Sequence, residues 1–531
     1  MNEGTCHYLL LEVTMDKALI FIAMAGYMSI IIGIGFYYYK RSNESSDNFF
    51  LGGRSLGPWV AAISAGASDM SGWLLMGLPG VAYWSGLSDA FWTAIGLALG
   101  TALNWIIVSK RLRHYSESAR AITLPEFFSN RFHEDKRIIL TVSSTFIFVF
   151  FSVYAASCFV TVGKLFATLF EVPYIPVMIA GAVFVVFYTF IGGFLAESVS
   201  DFMQGIIMIA ALAVVLVGGV VHAGGPGAVI DNLKGIPGFL DFFGIATPKL
   251  VDGVQQADGA MAAFGPAGNY GLITIASSMA WGLGYFGMPQ VLLRFMAIRS
   301  ADEIKQSRRI GITWTTLSLS ASVLIGLIGR AMFPMALTTA STSETIFIEM
   351  ATLLFPPLLA GIVMSGILAA TISSADSYLL IAASAFSKNI YKGVLRKDAS
   401  DQQIMAMTRM ILIVLAIVGI IIALDENSVI FTIVSFAWAG FGATFGPLML
   451  FSLFWKKTTR QGAIAGMLTG GIAVFIWKLL VKPLGGVFGI YELLPAFILS
   501  CVAIVLFSLI GEKPSAAMEE EFEMVKNQAK A

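Results

Sequence analysis

Long apolar stretches separated by short polar ones recur along the whole chain. A bilayer's hydrocarbon core, about 30 Å thick, needs about 20 mostly apolar residues per helical crossing. Thirteen stretches meet that length: 18–39, 58–84, 89–108, 138–169, 173–191, 202–221, 270–296, 310–333, 357–386, 407–423, 429–455, 462–480 and 493–510. The pattern predicts an all-α integral membrane protein of about thirteen transmembrane helices. No basic region precedes the first stretch, so residues 17–39 read as a retained helix, not a cleaved leader.

Composition sharpens this picture. Of 531 residues, 57% are apolar and 12% charged, where soluble domains carry about 25% charged residues. Lys plus Arg equals Asp plus Glu at 33 each, so net charge is zero and no basic tract points to nucleic acid. Placement of the charges is the informative part, because cytoplasmic loops collect Lys and Arg. The loop after the third stretch holds Lys110, Arg111, Arg113, Arg120, Arg131, Lys136 and Arg137. The seventh-to-eighth connection carries Arg294, Arg299, Lys305, Arg308 and Arg309, and the ninth-to-tenth Lys388, Lys392, Arg396, Lys397 and Arg409. Intervening loops are nearly bare, with Asp89 alone after the second stretch, Glu171 after the fourth, and Asp425 and Glu426 after the tenth. Hence the N-terminus is expected outside the cell membrane and the C-terminus in the cytoplasm. The Gly- and Pro-rich segment 223–267 is then an external loop, and the acidic tail is cytoplasmic.

Two stretches are interrupted. Ser64-Ala-Gly-Ala-Ser-Asp-Met-Ser-Gly-Trp73 and Trp281-Gly-Leu-Gly-Tyr-Phe-Gly-Met-Pro289 place helix breakers at mid-membrane depth, where unpaired backbone is tolerated mainly along a cavity. Glycines for close helix packing are the bland alternative for either segment alone. The two spans are expected to run in opposite directions, five apart, which is the mark of an inverted-repeat carrier whose site lies at the breaks.

Three acids lie at membrane depth, where charge is costly and usually functional. They are Asp69 in the first break, Asp201 near the start of the sixth stretch, and Asp376 in Thr371-Ile-Ser-Ser-Ala-Asp-Ser377. Asp69 is either a helix-end cap or part of a cation site. Ser373, Ser374, Asp376 and Ser377 fall within about one helical turn and suit a cation shell, although such hydroxyls also bond to i−4 carbonyls. Free N–H groups at half-helix ends suit a substrate carboxylate. Trp73, Tyr154, Trp281 and Tyr285 are placed to enclose an apolar body or face a cation.

Phe50-Leu-Gly-Gly-Arg-Ser-Leu-Gly-Pro58, the first break through Gly80, Tyr188-Thr-Phe-Ile-Gly-Gly-Phe-Leu-Ala196, the second break, Ala437-Trp-Ala-Gly-Phe-Gly442 and Pro514-Ser-Ala-Ala-Met518 together resemble the sodium/solute symporter family. The resemblance covers nearly the whole chain. It implies ten core spans in two inverted repeats of five, and import of L-proline coupled to inward sodium flow. It assigns sodium to the carbonyls of Ala67, Met70 and Ala370 and the hydroxyls of Ser373 and Ser374. It places Ser71, Gly72, Trp73, Tyr154, Trp281, Tyr285 and Pro289 beside the substrate. Asp69, Asp201 and Arg54 match residues tied to coupling. Two positions depart from the family pattern: Ser374 stands where threonine is expected, and Asp376 where serine is expected. The resemblance includes relatives with a second sodium near there, so Asp376 and Ser377 are candidates for coupling or a second cation, and sodium-to-substrate stoichiometry stays open.

The expected organisation is one transmembrane unit. It comprises an external N-terminus (1–16), a first helix and cytoplasmic loop (17–54), the inverted-repeat core (55–455), two last helices (456–510) and a cytoplasmic tail (511–531). A single copy is expected to suffice for transport, with the bilayer, sodium and proline as partners. Alternatives are a sodium- or proton-coupled carrier of another small amino acid or carboxylate, a sensor, which a tail of about twenty residues disfavours, and a membrane enzyme. An enzyme is disfavoured because no nucleophile with an adjacent base, phosphate-cradling loop or metal-ligand spacing is present among its three cysteines and four histidines.

Overall fold

A computed structural model describes residues 3–42, 46–259 and 261–530, which are almost wholly helical. Cys6 and His7 lie outside the residues whose side chains are described, and Cys158 and Cys501 are free thiols. Ten helices among the described residues are long and apolar enough to cross a membrane, the first over Thr14–Tyr38 and the last over Leu493–Ile510.

One of the ten, Tyr174–His222, has 49 residues. At 1.5 Å per residue it is more than twice as long as a bilayer core is thick, so it must fold back. The fold-back comes at Gly193, whose φ of 65° and ψ of 173° lie outside the helical region and suit a residue without Cβ. The expected stretches 173–191 and 202–221 are its two arms. The second arm opens with Ala196, Glu197 and Ser198 just past the bend, which sets two carboxylates, Glu197 and Asp201, near a helix start that favours negative charge.

The two interrupted stretches are each divided into half-helices. In the first, Pro58–Ala67 stops, residues 68–71 unwind, and a wide π-helical turn, Trp73–Gly77, leads into Leu78–Ser85. In the second, Leu272–Met279 tightens into a 3-10 turn, Ala280–Phe286, and Pro289–Ala297 restarts after Met288. Pro289 occupies the first turn, where its missing N–H costs nothing. Contacts between the broken spans pair Ser64 with Arg294, Asp69 with Gln290 and Trp73 with Trp281. As one number rises the other falls, so the spans run antiparallel, as expected.

Connections fall on two faces. On one, Arg54 donates to Ser116 and Ala121, Arg113 to Ile298, Thr123 to Asn389, and Arg131 to Ser452. This is the basic face. Its acidic tail is a helix, Ala516–Lys530, that folds back with Phe522 and Val525 buried. On the other face, Leu87 bonds Phe239, Gln255 bonds Thr338, Tyr174 bonds Ala423 and Tyr491 bonds Ser277. The expected external loop lies on that face, where its described residues form a short helix, Pro226–Leu233, and short antiparallel strand pairs, one of them with Gly268–Asn269. Two helices over Ala340–Ser343 and Ile346–Leu354 also lie there, between the eighth and ninth stretches. Helix Pro357–Ser384 runs through the centre, rich in Ala, Gly and Ser and buried throughout its second half, as a helix without a polar face must be.

Candidate functional site

The N–H groups of the unwound residues 68–71 stay bonded, those of Ser68, Asp69 and Met70 to carbonyls of Ser64 and Gly66 and that of Ser71 to the Asp69 carbonyl, while side chains of neighbouring elements converge on the carbonyls of the break. The Asp69 carbonyl accepts from Trp73 Nε1 (3.3 Å), Tyr154 OH (3.4 Å) and Tyr378 OH (3.3 Å). Tyr154 and Tyr378 stack with centroids 4.2 Å apart, which fixes both hydroxyls on the break.

Central helix Pro357–Ser384 supplies hydroxyls to the same place. Ser373 Oγ lies 2.8 Å from the Ala67 carbonyl and 3.1 Å from that of Ala370, and Ser374 Oγ lies 3.2 Å from the Ala67 carbonyl. Four of the five expected sodium ligands therefore meet in one buried cluster of oxygens. Two carbonyls and two hydroxyls suit a hard monovalent cation without adding a buried charge. Met70, the fifth, is buried within the break. Helical hydroxyls often bond i−4 carbonyls, and Ser373 does reach back to Ala370, but its shorter contact crosses to the other helix.

Asp69 is fully buried. Its Oδ1 accepts from Gln290 Nε2 at 3.0 Å, and its Oδ2 has no hydrogen-bond partner among the described residues. A buried carboxylate oxygen left in this state is costly, and a cation beside it removes the cost. Tyr285 faces the same carboxyl.

Asp376 and Ser377 do not join the Ser373–Ser374 cluster. They face a second network, in which Arg294 reaches Asp201 (3.0 Å), Ser377 Oγ (2.9 Å), Ser64 Oγ (3.1 Å) and Glu197. Ser377 also donates to Glu197, and Ser64 donates to Asp201 at 2.8 Å. Asp376 Oδ1 accepts from the Ser377 N–H, while Oδ2 has no partner among the described residues. The four expected oxygen side chains of this helix thus divide between two loci one turn apart. Arg294, counted with the loop charges in the sequence, is instead fully buried inside the half-helix Pro289–Ala297; unpaired it would be a costly buried charge, and Glu197 and Asp201 pair it.

The expected substrate residues cluster on the other side of the Asp69 break. Trp73 and Trp281 lie 6.4 Å apart by ring centroid, Trp281 packs on Phe431, Trp438 and Tyr491, and Tyr285 meets Trp438 edge-on. Ser71 Oγ is buried without a hydrogen-bond partner among the described residues. All seven expected residues are buried, so this arrangement is closed to both faces. Gly72 has a packing role: an added Cβ would lie 2.2 Å from Thr161 Oγ1. Arg54 lies apart from both clusters, on the basic face. It donates to Met296 O (2.5 Å), Ser116 and Ala121, and with Arg113 on Ile298 O (2.6 Å) it satisfies the carbonyl end of the half-helix Pro289–Ala297.

Sequence reading missed Glu197, Gln290, Arg294 and Tyr378. Glu197 carried a usable signal, being an acid four residues before Asp201; Gln290 is neutral and Tyr378 one aromatic among many.

A family model described as the Sodium:solute symporter family matches residues 49–470. A sodium/proline symporter of Escherichia coli (strain K12) is 42% identical over 501 residues, covering 93% of this chain and 94% of that one. A sodium/proline symporter of Staphylococcus aureus (strain USA300 / TCH1516) is 40% identical over 514 residues, covering 96% of each. Among solved structures, a Na+-coupled sialic acid symporter in a substrate-bound outward-open state superposes with a TM-score of 0.73 at 17% identity, over 94% of this chain and 99% of that one. That likeness establishes the fold.

Proposed function

The chain belongs to the sodium:solute symporter family, and on that premise we propose that it imports L-proline together with sodium by alternating access. The observation that carries the reading is the meeting of the Ser373 and Ser374 hydroxyls with the Ala67 carbonyl at an unwound break, a few residues from an aromatic enclosure.

The oxygen cluster of Ala67, Ala370, Ser373 and Ser374, with Met70, holds the sodium ion. Asp69 supplies the field that makes the break attractive to it. Proline lies between Trp73, Tyr154, Trp281 and Tyr285, with Ser71 and the start of Pro289–Ala297 facing its carboxylate. We read the broken and folded helices as thirteen crossings, with residues 55–455 as the core, the basic face cytoplasmic and the N-terminus outside. One chain contains every residue of the site, so a monomer suffices.

Coupling requires that sodium favour the substrate-competent arrangement, since a ligand shifts an equilibrium only by its differential affinity. A sodium ion bound between Pro58–Ala67 and Pro357–Ser384 does this by holding together two elements that must separate to open the basic face. One charge crossing the membrane contributes about 2.3 kcal/mol per 100 mV, and a tenfold sodium gradient about 1.4 kcal/mol. Together these support about five-hundredfold accumulation. The test is uptake of labelled proline into proteoliposomes with and without an imposed sodium gradient, with other amino acids as competitors. Equal uptake in both conditions refutes sodium coupling; stronger competition by another amino acid reassigns the substrate.

A further inference from the structure

The basic face holds a polar cavity of about 430 Å³ that plays no part in the site above, a size typical of small-ligand pockets. One wall is the end of helix Leu124–Arg131 and the turn after it, with Ser129, Asn130, Glu134, Asp135 and Arg137; the other is the π-helical continuation of the central helix, with Lys388, Asn389 and Gly393.

Two of its three acids serve backbone donors, and the third, Asp135, is exposed. Glu134 accepts from the N–H groups of Ile138 (2.9 Å) and Ile139 (3.1 Å), and Glu126 accepts from that of Ile122 (3.0 Å). Both carboxylates thus serve backbone donors. The cations are less occupied. Arg120 and Lys397 are exposed on the rim and make no ion pair among the described residues, and Arg137 donates one N–H to the Gly393 carbonyl. Asn389 is 1% exposed. Its Oδ1 accepts from Thr123 at 3.1 Å, while Nδ2 has no acceptor among the described residues, and the residue lines the cavity. A buried amide N–H without a partner is expensive, and Arg120, Arg137 and Lys397, which line the same cavity, make an anion the natural acceptor.

We infer that this cavity binds a phosphoryl group, carried by a soluble phosphate compound or by an anionic lipid headgroup at the membrane surface. Arg120, Arg137 and Lys397 contact its oxygens and Asn389 Nδ2 completes the set. Binding joins the Leu124–Arg131 segment to residues 385–395 and so restrains the end of the helix that carries Ser373 and Ser374. The inference is independent of which solute is carried.

The test is thermal unfolding of the full chain, followed by tryptophan fluorescence, at fixed ionic strength. The probes are inorganic pyrophosphate against chloride in neutral detergent, and nanodiscs of phosphatidylglycerol against phosphatidylcholine. A saturable rise in melting temperature of about 2 °C or more is expected with at least one phosphoryl probe. A response to pyrophosphate identifies a soluble ligand, and a response confined to phosphatidylglycerol a headgroup. Arg120→Gln with Lys397→Gln, both at exposed positions, should weaken apparent affinity by about tenfold or more per cation removed. Asn389→Asp, which keeps the shape of the side chain but turns its end negative, should abolish the response. Absence of a shift with both probes, or an equal shift in wild type and both variants, overturns the assignment.

Discussion

Gln290 donates from Nε2 to Oδ1 of Asp69 across 3.0 Å, and this single bond ties the two broken spans together at the level of the unwound backbone. The other carboxylate oxygen has no protein partner among the described residues. Asp69→Asn should therefore raise the sodium concentration for half-maximal proline uptake by tenfold to about a hundredfold, the worth of a hydrogen bond or contact to a charged group. Expression and melting temperature should stay near wild type, because a neutral amide removes a buried charge and can still bond Gln290. Wild-type sodium affinity in the purified variant would show Asp69 to be only a cap on the break.

The hydroxyls of Ser373 and Ser374 address one carbonyl, that of Ala67. Each serine-to-alanine change should weaken sodium dependence, and the double change should cost less than the sum, since groups sharing a partner are not additive. Ser374→Thr keeps the oxygen and should be tolerated. A thermodynamic cycle on sodium-dependent proline binding decides this: strict additivity would separate the two serines and refute a common ligand.

Arg294 holds Glu197, Asp201, Ser64 and Ser377 at once. Arg294→Gln leaves buried carboxylates unmatched and should destabilise by about 3–5 kcal/mol, the range seen when one member of a buried pair is removed. Arg294→Lys keeps the charge but loses the fork, and should fall between the two. Combining Arg294→Gln with Glu197→Gln should recover part of the loss. Thermal unfolding in detergent measures all three, and a neutral Arg294→Gln would mean that the network adds nothing to the closed arrangement.

Close backbone approach is also testable. Gly282 in the second break sits against Gly96 and Gly100, and a Cβ on Gly282 would lie 2.1 Å from the Gly96 carbonyl oxygen. Gly282→Ala forces those backbones apart, so it should cost about 1–3 kcal/mol as other overpacking changes do and reduce uptake. Gly235→Ala, where nothing lies within 4 Å, should be silent in the same unfolding assay.

Both breaks, the reversal between the fifth and sixth stretches, Asp69 and the Ser373–Ser374 pair were legible in the sequence because each has a local signature: glycines and prolines inside an apolar run, or hydroxyls at helical spacing. Other features depend on partners distant in the chain. Glu197 meets Arg294 from 97 residues away in the chain, and no local pattern reports that pairing. Arg294 was misplaced because a cation near a span end reads as a loop charge unless an acid is known to face it. The helices over 340–354 escaped because, at four and nine residues, they are too short to cross. Gly72 illustrates the converse case: its position beside the proposed substrate was expected, but its size is required by Thr161.

Trp281 sits at the centre of the proposed enclosure, with ring centroids of Phe431, Tyr491 and Trp438 at 5.0, 5.1 and 5.9 Å and Trp73 at 6.4 Å. Its carbonyl accepts from Trp438 Nε1 at 2.8 Å, so the 3-10 turn is held by the backbone as well as by the ring. Trp281→Ala should therefore leave that bond in place while removing a wall of the pocket, and Tyr285→Ala should open the opposite side near Asp69. Both should raise the proline concentration for half-maximal uptake by tenfold or more, about what loss of one buried aromatic contact costs. Sodium affinity measured without proline should move little in Trp281→Ala, because its ring packs on Trp73, Phe431, Trp438 and Tyr491 and not on the Ser373 and Ser374 hydroxyls that meet the Ala67 carbonyl. In Tyr285→Ala sodium affinity should shift as well, since that side chain faces the Asp69 carboxyl. An unchanged proline response in both variants would place the solute elsewhere in the chain, while equal sodium effects in the two would mean that ion and solute are not held at separable parts of the break.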